Sequence, residues 1–111
     1  MVGDGGIGMF VGELRLAVER RMPLLVVLMS DGRFGSIATR ALKDSLTLAP
    51  LTMAEPSWLR IMDGMGLPGM RVTTTDQLAL ALASWDAAGG PAYIEISFAP
   101  EPYEQMVAGI R

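Results

Sequence analysis

Pro23-Leu24-Leu25-Val26-Val27-Leu28-Met29-Ser30-Asp31-Gly32 is the stretch on which the fold turns. Leu24 to Met29 is one short, unbroken apolar run rich in branched side chains. That is the pattern of a strand buried on both faces, not of a strand with one wet side. Ser30-Asp31-Gly32 ends it with turn chemistry. Just before Pro23, residues Met9 to Arg21 carry Phe10, Leu14, Ala17 and Val18 at helical spacing, with Glu13, Arg15, Glu19 and Arg20 largely off that stripe. Further upstream, Met1-Val2 reads as the end of a strand and Gly3-Asp4-Gly5-Gly6 as a glycine turn.

Downstream the same alternation continues. Ser36 to Leu46 is expected to be helical, and Thr47 to Glu55, with Pro50 inside it, to be a loop. Glu55-Pro56-Ser57 opens a helix, since proline is tolerated in a first turn, and Gly64 and Gly66 stop it. Met70-Arg71-Val72 is a short strand. Thr75 or Asp76 caps a helix carrying Leu78, Leu80, Ala81, Leu82 and Trp85. Gly89-Gly90-Pro91 breaks that helix, and Ala92 to Phe98 is the last strand. The order implies an α/β domain with a parallel sheet and helices on both faces. The sheet is entered on the last residue or two of a strand, whereas useful pairing takes about five. Residues 1–111 are therefore expected to be part of a domain whose first strands and helices lie upstream.

Composition narrows the function classes. The chain has 111 residues, half of them hydrophobic, and a positive mean hydropathy. A domain this small leaves much of its surface exposed, so a partner is expected, either the rest of a longer chain or an identical subunit; an ordinary rich core is the alternative. Nine basic and 12 acidic residues give a net charge of −3, with no basic cluster beyond Glu19-Arg20-Arg21, which argues against nucleic acid. Cysteine and histidine are both absent. That excludes thiolate and imidazole zinc sites and every triad using His as base. The first stretch lacks a signal-peptide pattern, and the Leu24–Met29 run is far too short for a bilayer, so a cytoplasmic protein is the default expectation.

In parallel α/β sheets, ligands bind beyond the carboxyl ends of strands. Asp4 and Asp31 sit at two such ends, where converging carboxylates suit a hard cation such as Mg²⁺. Gly3, Gly5 and Gly6 let the backbone approach a phosphate, and the following helix offers its free N–H groups. The same turn also serves in many α/β folds as a plain strand-to-helix connection with Asp as cap.

Gly3-Asp4-Gly5, a helix with Glu13-Leu14, Pro23 before an apolar strand, and Ser30-Asp31-Gly32-Arg33-Phe34-Gly35 together resemble the signature of the thiamine-diphosphate-dependent enzymes. Glu55-Pro56-Ser57-Trp58 through Gly66, Gly69 to Val72, the Thr75–Trp85 helix and the Pro91–Ser97 strand follow that family's C-terminal order, so the resemblance covers nearly the whole chain. It implies a diphosphate-binding domain with Mg²⁺ held by Asp4, Asp31 and the main-chain carbonyl of Arg33. The cofactor diphosphate is then held through Gly3, Gly5 and Gly6. The substrate class implied is a small 2-oxo acid.

Three departures shape the expectation. Ser30-Asp31 replaces the family's Asn-Asn pair; Asp31 is compatible with metal binding and resembles the catabolic acetolactate synthases. Ile37 stands where pyruvate and indolepyruvate decarboxylases carry a catalytic Glu, as in acetolactate synthases and benzoylformate decarboxylases; ordinary core packing also accounts for an Ile. The family's cofactor-activating glutamate lies on another domain, so an isolated fragment is expected to be inactive. Trp58, Trp85 and the nine methionines are expected to fill helix–sheet contacts, and Glu13 to be a solvated or interface charge. Two competing readings remain. A receiver-type phosphoacceptor needs a lysine near a late strand end, and the single lysine is Lys43. A non-catalytic interaction module keeps the fold without binding the cofactor.

Overall fold

The architecture among the described residues follows from four short strands that pair in parallel in the order β1-β2-β4-β3: β1 (Val2–Gly3), β2 (Leu25–Ser30), β3 (Gly69–Val72) and β4 (Ala92–Ser97). The structure is a computed structural model and describes residues 1–53 and 57–108. The quoted run is β2, beside β4 at the centre, and its side chains alternate between faces. Cross-strand register places Val26 beside Tyr93 and Leu28 beside Glu95. These point to the face covered by α1 (Asp4–Phe10), α2 (Leu14–Glu19) and α4 (Trp58–Gly64), where Ile7, Leu14, Trp58, Met62 and Leu67 complete the main core. On the other face, Val72 and Ile94 pack with Ala81 of α5 (Thr75–Ala88). The expected α/β sandwich of helices around a parallel sheet is the observed fold. No helix among the described residues is long and apolar enough to cross a membrane.

Several local expectations change. The Gly3-to-Gly6 segment is not a free turn: the chain passes from β1 into α1 at Asp4, with Gly3 as N-cap, so Gly5 and Gly6 are helical. The helix expected from Met9 thus begins five residues earlier, and a 3₁₀ turn at Val11–Glu13 separates α1 from α2. That irregularity rotates the stripe. Ile7, Leu14 and Ala17 are buried, whereas Phe10 and Leu16 are exposed. Thr74, not Thr75 or Asp76, caps α5; its hydroxyl accepts the Gln77 N–H. The middle region forms α3 (Gly35–Lys43) and a 3₁₀ turn at Ala49–Leu51. Ser57 caps α4, and Glu55 and Pro56 lie outside the described residues. Gly66 and Gly89 end α4 and α5 with φ of 80° and 66°, a left-handed conformation that glycine adopts without strain. The tail after Pro100 forms α6 (Glu101–Ala108).

Candidate functional site

The carboxyl ends of β1 and β2 lie side by side because these strands pair, with Gly3 opposite Met29. Asp4 is the first residue beyond β1, and Asp31 the first beyond β2. Asp4 is buried, and four donors surround its carboxylate. Oδ1 accepts from the Ser30 hydroxyl at 2.9 Å and from Trp58 Nε1 at 3.0 Å. Oδ2 accepts from the backbone N–H groups of Asp31 at 2.9 Å and Gly32 at 3.2 Å. Alternation along β2 explains the Ser30 bond. Ser30 shares the face of Val26 and Leu28, which is the face α4 covers.

Asp31 is only partly buried. Its Oδ1 accepts the Arg33 N–H at 3.1 Å. Burial pushes its carboxyl above the ordinary range; the Arg33 N–H bond opposes that, and the nearby Asp4 charge raises it further. Two carboxylates in electrostatic contact favour a cation between them. Arg33 forms an isolated antiparallel bridge with Thr52, in which Phe34 N–H donates to Leu51 and Met53 N–H to Gly32. In such a pair, the N–H and C=O of Arg33 point away from Thr52. The N–H goes to Asp31, so the carbonyl lies toward the same side. The Arg33 guanidinium turns elsewhere and pairs with Glu104 of α6 at 2.8 Å.

Gly3, Asp4, Gly5, Gly6, Asp31 and Arg33 line one groove of about 550 Å³, bordered by Ile37, Phe98 and Tyr103. Every site residue read from the sequence therefore lies on one cavity wall. Two glycines there have packing reasons of their own. A Cβ on Gly5 would stand 2.8 Å from a Phe34 ring carbon, and one on Gly6 would stand 2.6 Å from a Val2 methyl. Ile37 is 54% exposed, so core packing does not account for it; it lines the groove. Glu13 is exposed, as expected of a solvated charge.

Sequence reasoning missed Trp58. Its ring fills the core, but its N–H is committed to Asp4. A buried indole needs an acceptor, and that requirement was the available signal. It also missed Glu95, which is buried beside Tyr93, with the half-exposed Arg71 on the same sheet face. Arg71 and Glu95 are register partners, and Tyr93 lies two residues before Glu95. Arg71 Nε reaches Glu95 Oε1 at 2.7 Å and the Tyr93 hydroxyl reaches Oε2 at 2.9 Å. Burial, with the Glu95 hydrogen bond and charge, raises the Tyr93 hydroxyl well above its ordinary value. A lone Glu in Tyr-Ile-Glu-Ile was the sequence signal.

Among the described residues, no cluster of three or more His, Cys, Asp or Glu side chains is placed to hold a metal. The oxygen set is two carboxylates and a carbonyl, a hard-donor set that fits Mg²⁺ when a ligand supplies further oxygens.

Known proteins resemble this chain in sequence and in fold. The chain is 28% identical over 94 residues to an acetolactate synthase of Bacillus subtilis, covering 85% of this chain and 16% of that protein. It is 25% identical over 109 residues to the mitochondrial acetolactate synthase catalytic subunit of Saccharomyces cerevisiae, covering 96% and 16%. The chain thus spans about a sixth of the length of these relatives. The crystal structure of benzoylformate decarboxylase from Polynucleobacter necessarius superposes with a TM-score of 0.82 at 18% identity, over 89% of this chain and 19% of that one, which shows the shared fold. Residues 1–96 match the family model for the C-terminal TPP-binding domain of thiamine pyrophosphate enzymes, and the chain belongs to that family.

Proposed function

We propose that this chain forms the metal and diphosphate end of a thiamine diphosphate site, within a longer 2-oxo-acid decarboxylase or carboligase of the acetolactate synthase or benzoylformate decarboxylase kind. The observation that carries the reading is the convergence of Gly3, Asp4, Gly5, Gly6, Asp31 and Arg33 on one groove, with the Asp31 main-chain N–H on the Asp4 carboxylate at 2.9 Å.

In this reading the side chains of Asp4 and Asp31 and the Arg33 carbonyl hold Mg²⁺. A carboxylate offers about four lone-pair sites, and protein donors already meet all of them on Asp4. Holding the ion would require one of these donors to give way, and the 3.2 Å Gly32 bond is the longest. The N–H groups of Gly5 and Gly6, in the first turn of α1, have no intrahelical acceptor and are available to phosphate oxygens. The cation offsets the repulsion between two carboxylates and a diphosphate. When bound, the cofactor supplies the electron sink for decarboxylation of a 2-oxo acid. The residues of this chain bind and orient it, and Ile37 presents a groove wall that can neither hold nor move a proton.

The groups acting at the other end of the cofactor then belong to the remainder of the longer enzyme or to a second subunit. Exposed Met9, Phe10 and Leu16 give such a neighbour an apolar surface to cover. The four donors on Asp4 favour a second reading, in which this carboxylate is a structural tie and the chain is an interaction module. Calorimetry with thiamine diphosphate, with and without Mg²⁺, separates the two. The expected result is weak, Mg²⁺-dependent binding that Asp31→Ala abolishes, with no turnover by the isolated chain. Absence of binding in either condition would favour the module. Tight binding without metal would refute the ligand assignment.

A further inference from the structure

Trp58 is the first residue of α4, and its ring packs in the main core with Ile7, Leu14 and Met62. A residue that only fills space there needs no polar contact, and phenylalanine would serve. Trp58 instead donates its indole N–H to Asp4 Oδ1 at 3.0 Å. A bond to a carboxylate is charge-assisted and stronger than one between neutral groups.

The four donors on Asp4 divide by oxygen. Ser30 and Trp58 share Oδ1, while Oδ2 takes the amides of the turn that carries Asp31. Oδ1 is thus turned toward α4 and Oδ2 toward Asp31. The Ser30 hydroxyl rotates freely and can follow the carboxylate. The indole is locked by the packed core around it, so it is the donor that sets the direction.

We propose that Trp58 is a positioning residue of the metal site, holding the Asp4 carboxylate so that Oδ2 faces the Asp31 end of the groove. The inference rests on the reading of Asp4 and Asp31 as Mg²⁺ ligands. Groups that orient a metal ligand typically change metal affinity 10- to 100-fold when removed.

The test uses the full chain, with Mg²⁺ and inorganic pyrophosphate as probe. Trp58→Phe keeps the ring and removes the donor. It is expected to weaken Mg²⁺-dependent pyrophosphate binding about 10- to 100-fold, with the circular dichroism spectrum and cooperative unfolding retained. Wild-type affinity in a folded Trp58→Phe protein would overturn the proposal. If that variant does not fold, the wild-type protein still decides. Its two tryptophans give two indole N–H resonances, and Trp85 Nε1 is bonded to the Gly90 carbonyl at the opposite end of the sheet. Titration with Mg²⁺ and pyrophosphate is expected to move the Trp58 indole resonance and leave that of Trp85. Movement of the Asp31 and Gly32 amides with the Trp58 indole unmoved would overturn the positioning role and leave the metal site standing. No Mg²⁺-dependent binding by the wild-type chain, with the Asp31 and Gly32 amides unmoved, would overturn both.

Discussion

Among the described residues, Asp4 and Glu95 are the two buried acidic ones, 3% and 2% exposed, and their carboxylates are satisfied in different ways. Glu95 has a cation: the Arg71 guanidinium lies on one oxygen and the Tyr93 hydroxyl on the other. Among the described residues Asp4 has no cationic partner; a hydroxyl, an indole and two amides hold it. Burying a charge is costly unless it is paired or well hydrogen-bonded. Glu95 meets that cost with a full counter-charge and is electrically closed. Asp4 meets it with neutral dipoles and lies beside a groove. Both carboxylates tie distant segments together, and in the proposed function only Asp4 also meets a metal.

The contrast can be broken from either side. Asp4→Ala removes the acceptor from four donors at once. Each orphaned donor costs about 1–3 kcal/mol, partly recovered by water from the groove, so a loss of about 4 kcal/mol in urea unfolding is expected. A loss under about 1 kcal/mol would mean the network is not a core element. Arg71→Met strips Glu95 of its cation and is expected to cost about 3 kcal/mol, the lower end for breaking a buried pair, because half of the Arg71 side chain is exposed. Adding Glu95→Gln should recover part of that loss, and no recovery would show that packing rather than charge was removed.

Smaller effects sharpen the contrast. Mg²⁺ with thiamine diphosphate at about 100 times its Kd should stabilise the wild-type chain by about 2.7 kcal/mol. Chelating the metal should abolish the gain, whereas Asp4→Asn should not show it. A thermal shift that survives chelation would separate Asp4 from the metal. Ser30→Ala should cost about 1 kcal/mol, one hydrogen bond to a charged group that retains its other donors.

Asp31→Asn should do the reverse and stabilise the metal-free chain by about 0.5 kcal/mol at neutral pH, a small figure because the side chain is only partly buried. The sign follows from linkage. The folded carboxyl titrates above 3.8, so the folded state binds its proton more tightly than the unfolded chain. The stability contributed by Asp31 is then full below pH 3.8 and is lost as pH rises through its folded value. The advantage of the variant should vanish below pH 3.8 in acid unfolding series. An advantage that persists there would come from something other than this titration.

Much of the fold was legible because it rests on local pattern. Leu24 to Met29 announced a buried strand, and the strand-helix-strand order placed Asp4 and Asp31 at two strand ends, which pairing of β1 with β2 brings side by side. The helix beginning at Asp4 was not legible. Gly5, Gly6 and Gly8 argue locally against helix, and the packing of Ile7 against the sheet overrides them. Phe10 was misplaced for a related reason, since the 3₁₀ turn after it rotates the face that the spacing alone implied.

By itself the sequence determined the class of sheet and the strand-end positions of Asp4 and Asp31, and its lack of histidine and cysteine excludes imidazole and thiolate ligands. Those properties are set by neighbours in the chain, through periodicity, turn residues and side-chain type. Only the tertiary structure decided which donors meet each carboxylate. Trp58 lies 54 residues from Asp4, Arg71 lies 24 from Glu95, and Glu104 lies 71 from Arg33. Such pairings depend on strand order, register and helix docking, which bring distant segments within about 3 Å and leave no trace in local pattern.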